Sequence, residues 1–95
     1  MSDQKIMTLH PEGKQGVNLD NKRYALIKQA ILEVIREHDE IAFKALAAAV
    51  AERLPKEFDG SVPWYVTTIK LDLEAREFIE RVPGKTPQHL CLRKI

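Results

Sequence analysis

The sequence predicts an α+β domain made of three helices and a small antiparallel sheet, preceded by an N-terminal arm. Three observations predict it. Two stretches open on a capping residue and then place apolar residues at helical spacing, a short apolar strand follows the first of them, and two alternating segments flank a Pro-Gly turn near the C-terminal end. Ninety-five residues, 44% of them apolar, support one domain with a single modest core. The arm covers residues 1–19 and the folded domain residues 20–95.

Within the arm, Pro11, Gly13 and Gly16 punctuate the chain and no 3.6-residue period appears. Met7 and Leu9, then Val17 and Leu19, alternate with polar neighbours, so either pair suits a brief addition to a sheet edge or a path across the body. Disorder is the competing reading.

Asp20 caps the first helix, because its carboxylate suits the orphan amides of a first turn, and the helix runs to about His38. Tyr24, Ile27, Ile31, Val34 and Ile35 fall on its inner face. Asp39 and Glu40 break the pattern, and Ile41, Ala42 and Phe43 make a short strand. Residues 44–54 form a second helix with Leu46, Ala47, Val50 and Leu54 inward and an alanine-rich remainder that favours helix; Pro55 follows its end. Ser61 caps a third helix over 62–77, with Pro63 tolerated in the first turn. Val62, Tyr65, Val66, Ile69 and Leu73 share its inner face, while Trp64, Thr67, Thr68 and Leu71 face outward. Residues 78–82 and 89–93 pair as strands around the turn, with Leu90 and Leu92 half-buried.

Composition removes several classes of function. A lone Cys91 forms no internal bridge, residues 1–15 contain no apolar block, and the longest apolar run, 45–51, is far too short to span a membrane. A cytoplasmic protein with no membrane association is expected. His10, His38 and His89 are scattered over arm, helix end and last strand, without the spacing of metal ligands. Gly13-Lys14 lacks the rest of a phosphate loop, and Asp72, Glu74 and Glu77 project in different directions instead of forming a carboxylate pair. No enzymatic activity, cofactor or metal is expected.

Net charge is +1 but unevenly spread. Residues 1–28 hold five basic and three acidic side chains, residues 29–80 six and eleven, and residues 81–95 four and none. The basic end suits an anionic partner, or else a solvated edge that discourages strand aggregation.

The segment Leu73-Glu74-Ala75-Arg76-Glu77-Phe78-Ile79-Glu80-Arg81 resembles the pattern Leu-Glu-x-x-Gly-Leu-Ile-x-Arg that ends the third helix of winged helix-turn-helix regulators. The resemblance covers about residues 21–94. Glu77 stands where those proteins carry glycine, so the left-handed exit must be made differently here or the helix must run further. More narrowly, residues 10–17 together with Gly60-Ser61-Val62-Pro63-Trp64-Tyr65 resemble a small uncharacterised family of bacterial proteins of about this length. The wider resemblance implies a third helix that enters the major groove of double-stranded DNA through Ser61, Trp64, Thr67, Thr68 and Lys70. It also implies a wing at Lys85 and Thr86 that touches phosphate or the minor groove.

Two functions follow. The first is a DNA-binding winged helix, a small transcription-associated regulator, using those residues together with the basic Arg93 and Lys94. Against it, residues 61–78 carry two basic and three acidic side chains, few cations for a helix whose affinity comes largely from phosphate neutralisation. The alternative is a protein-interaction or homodimerisation module that uses Trp64, Leu71 and Phe78, spaced seven residues apart as an apolar stripe. We expect Trp64 to be covered, either by the arm or by a second subunit.

Overall fold

The computed structural model describes residues 5–14, 16–56, 58, 60–84 and 88–93. The arm forms a two-stranded antiparallel sheet of its own, β1 (Lys5–Met7) against β2 (Asn18–Asp20), with Ile6 opposite Leu19. It does not extend the C-terminal sheet. Leu19 sits in the main core at 4% exposure, so the last strand of the arm is integral to the folded body. Beyond β1 the hairpin is held by the buried Thr8, whose amide donates to the Val17 carbonyl and whose hydroxyl accepts from the Val17 amide, both at 2.9 Å. Gly16 permits this approach: a Cβ there would lie 1.7 Å from the Thr8 carbonyl oxygen.

β2 runs straight into α1 (Asn21–His38), because the Asp20 carboxylate accepts from the Arg23 amide at 3.1 Å and starts the helix. Tyr24, Ile27, Ala30, Ile31, Val34 and Ile35 are buried along one face, which makes α1 the central element of the core. The helix ends at Asp39, whose positive φ of 62° turns the chain into β3 (Glu40–Ala42). α2 (Phe43–Arg53) follows directly, burying Leu46 and Val50 against α1 and α3.

α3 (Val62–Ala75) starts as expected, with the Ser61 hydroxyl accepting from the Trp64 amide and Pro63 in the first turn. It ends two residues earlier than expected. Glu77 adopts the left-handed φ of 67° itself; its amide donates to the Glu74 carbonyl at 3.1 Å and the Phe78 amide to the Leu73 carbonyl at 3.0 Å. These two bonds make a Schellman ending with glutamate in the position that glycine usually fills.

The chain then forms β4 (Ile79–Arg81) and β5 (His89–Leu92), giving a three-stranded antiparallel sheet in the order β3-β5-β4. Leu90 faces Ile41 on one side and Arg81 on the other, and Ile41, Ile79 and Leu90 close the core beneath α1. Among the described residues, no helix is long and apolar enough to cross a membrane.

Candidate interaction face of the third helix

The outer face of α3 divides into an open half and a covered half. Trp64 is 45% exposed and rests edge-on against Tyr65, with ring centres 5.1 Å apart. Thr67 is exposed beside it and donates its hydroxyl to the Pro63 carbonyl at 2.9 Å. One turn further on, Thr68 and Leu71 are half-buried under the arm, where they share with Leu9 and Val17 a gap of about 100 Å³. The expectation of a covered Trp64 therefore fails for the arm, which meets α3 one turn beyond the ring and leaves it in solvent. Nor do Trp64, Leu71 and Phe78 form a continuous stripe. Leu71 lies beneath the arm, and Phe78 stands past the helix end, 44% exposed, with the Lys28 ammonium 4.5 Å from its ring centre.

A buried carboxylate ties the arm to α1 and α3. Asp72 is fully buried on α3; its Oδ1 accepts from the Leu9 amide at 2.8 Å and its Oδ2 from the Tyr24 hydroxyl. Arg76, one turn later, directs Nε at both carboxylate oxygens at 2.9 and 3.0 Å, and a second guanidinium nitrogen reaches the Met7 carbonyl at 3.3 Å. Arm, α1 and α3 thus converge on one charge with its counter-charge in place, the condition under which burying a carboxylate is tolerated. Burial, followed by the hydrogen bond to Asp72, pushes the Tyr24 hydroxyl well above the ordinary tyrosine range, and the Asp72 hydrogen bond raises Arg76 further.

Lys70 does not present its ammonium to a groove. It is 4% exposed, its Nζ lies 3.1 Å from Glu74 Oε2 and 5.2 Å from the centre of the Phe43 ring, and desolvation lowers its pKa despite the glutamate. The long stem lets a lysine on the flank of the helix fold inward over apolar surface. Oε2 of Glu74 takes no hydrogen bond of good geometry from it, while Oε1 accepts from Arg81 at 2.9 Å. Ser61 is committed to capping, and Arg93 is exposed but paired with Glu77 at 2.8 Å. Lys85, Thr86 and Lys94 lie outside the described residues. Of the expected groove contacts on α3, only Trp64 and Thr67 are freely presented.

A family model matches residues 5–90, a span that takes in the arm, all three helices and the start of β5. The chain belongs to DUF6958, a family of unknown function. No curated protein matches it. The DUF6958 match includes both Leu9 and Asp72, so the arm belongs to the same unit as the helices it is tied to.

Sequence reasoning missed the Asp72 centre. The spacing of Asp72 and Arg76 by four is a local signal for an ion pair, but the burial comes from Tyr24 and Leu9, which no local pattern connects to it. It also missed a cleft of about 690 Å³ between the end of α1 and the C-terminal sheet, where Ile35, Arg36, Val82 and the half-buried Cys91 meet. Among the described residues no group of three or more His, Cys, Asp or Glu side chains is arranged to hold a metal ion.

Proposed function

We propose that this DUF6958 chain is a non-catalytic winged-helix module that pairs with a second copy of itself through the outer face of α3 around Trp64. The order α1-β3-α2-α3-β4-β5, with the three strands joined as β3-β5-β4 and a Pro-Gly turn leading out of β4, supports the winged-helix reading. The observation that carries the function is the company Trp64 keeps. Its ring, 45% exposed, stands one turn before Thr68, which borders the arm residues Leu9 and Val17, themselves 45% and 38% exposed. Large apolar side chains gathered at one face mark a contact surface, and a half-exposed tryptophan is the residue type that most often anchors one. A net charge of +1 offers little repulsion between copies, and a two-fold contact needs only one self-complementary patch.

The same geometry counts against reading DNA with this helix. Its one basic residue, Lys70, is turned inward, and Thr68 lies beneath the arm. Few phosphates could be neutralised from α3, and that neutralisation supplies most of the affinity of such proteins.

Sedimentation equilibrium of the full chain and of Trp64→Ser, each also titrated with duplex DNA at low salt, tests the proposal. Self-association in the parent and a monomer in the variant support it. A parent that stays monomeric while binding DNA with a steep salt dependence overturns it in favour of the nucleic-acid reading.

A further inference from the structure

We infer that the β1–β2 hairpin, described at residues 5–14 and 16–20, acts as a latched lid on the partner-binding face: the Asp72 carboxylate holds the hairpin closed over Thr68 and Leu71, and its release enlarges the surface around Trp64. The inference rests on the proposed role of that face. The hairpin touches α3 through few fastenings, the bonds from the Leu9 amide to Asp72 and from Arg76 to the Met7 carbonyl. At the edge of the hairpin, Thr8, Leu9, His10, Gly16 and Val17 meet Thr68 and Leu71 around a solvent-open groove of about 100 Å³, so this seam is not closely packed. At its other end the hairpin is anchored firmly, because Leu19 is in the core and Asp20 caps α1. An element tied at one end and clipped at the other through the Asp72–Arg76 pair has low local stability compared with the core it covers. Opening at the clip exposes Thr68 and Leu71 on the same face as Trp64, one and two turns along the helix.

Thiol accessibility reads the lid directly. In full-length chain carrying Cys91→Ser, Leu71→Cys is placed under the lid and Thr67→Cys on the open half, and each is labelled with a soluble disulfide reagent. With the latch intact the thiol at 71 reacts much more slowly than the one at 67. Asp72→Asn, and separately Leu9→Pro, which removes the amide donor on the arm side of the latch, each speed labelling at 71 about tenfold or more and leave labelling at 67 unchanged. Hydrogen exchange at Ile69 and Leu73 stays slow in both, showing that the core remains folded. The same latch variants, with position 71 left as leucine, self-associate several-fold more tightly than the parent. Equal labelling rates with and without the latch, or a thiol at 71 as reactive as that at 67 in the parent, overturn the latch. Faster labelling without tighter association, while Trp64→Ser still weakens association, overturns its role on the partner face. If Trp64→Ser leaves association unchanged, the pairing surface itself is misplaced, an outcome that labelling at 71 does not influence.

Discussion

Leu9 and Asp72, 63 positions apart in sequence, are joined by a 2.8 Å hydrogen bond from a backbone amide in the arm to a fully buried carboxylate on α3. That carboxylate also receives Tyr24 and Arg76, so removing it strands donors from three segments at once. Asp72→Ala is expected to lower stability by about 3 kcal/mol, mostly through the buried, unpaired Tyr24 hydroxyl and the uncompensated guanidinium. Leu9→Pro, which removes one donor at the edge of the network, should cost about 1 kcal/mol. Urea unfolding of the two variants beside the parent measures both.

Alkaline titration isolates the Tyr24 arm of the network. Its folded pKa is raised above the ordinary value of 10.0, first by burial and then by the Asp72 hydrogen bond. A raised folded pKa means the folded state holds its proton longer than the unfolded chain. The stabilisation is therefore fully present below about pH 10, and declines as pH rises above it towards the folded pKa. Tyr24→Phe should be less stable than the parent at neutral pH by about 1 kcal/mol and should lose less further stability above pH 10. Urea midpoints of the two proteins at a series of alkaline pH values check this.

At the end of α3 a strained residue can be relieved. Glu77 holds a φ of 67°, a region in which a side chain costs about 1 kcal/mol or more and glycine costs little. The exposed pair of Glu77 with Arg93 offsets little of that. Glu77→Gly is expected to raise stability by about 0.5 kcal/mol or more, read as a higher melting temperature; a fall of similar size would show that the glutamate contributes more than its pairing suggests.

Lys70 and Glu74 form a pair whose two halves should behave unequally when removed. Lys70→Met alone leaves Glu74, 7% exposed at its side chain, with only Arg81, and should cost about 2 kcal/mol. Lys70→Met combined with Glu74→Leu should recover most of that loss, because apolar replacement of a buried pair is often close to neutral. A double-mutant cycle on unfolding free energies separates the two cases.

Local signals made much of this fold legible. Asp20 and Ser61 as caps, the 3.6-residue period of α1 and the alternation around Leu90 each arise from neighbours in sequence, and those elements stand where they are expected. The departures come from contacts that sequence neighbours do not encode. Lys70 reads as an exposed cation because its position borders the outer face, yet its stem reaches Phe43 and Glu74 inward. Of the two covers expected for Trp64, the arm is ruled out, because Leu19 and Asp72 anchor it at a height that brings it over Leu71 and leaves the ring in solvent. Glu77 reads as an obstacle to a left-handed exit, whereas the two Schellman bonds are made in spite of it.

Iodide quenching of Trp64 fluorescence across protein concentration tests the central claim, that this ring is the anchor between two copies. Trp64 is the only tryptophan, so the signal has one source. Free quenching is expected at high dilution, with the ring 45% exposed in the single chain, and protection as concentration passes a dissociation constant on the order of micromolar, as suits a small apolar contact. Protection should weaken on lowering concentration alone. Equal, free quenching from high dilution to the highest concentration reached would contradict it.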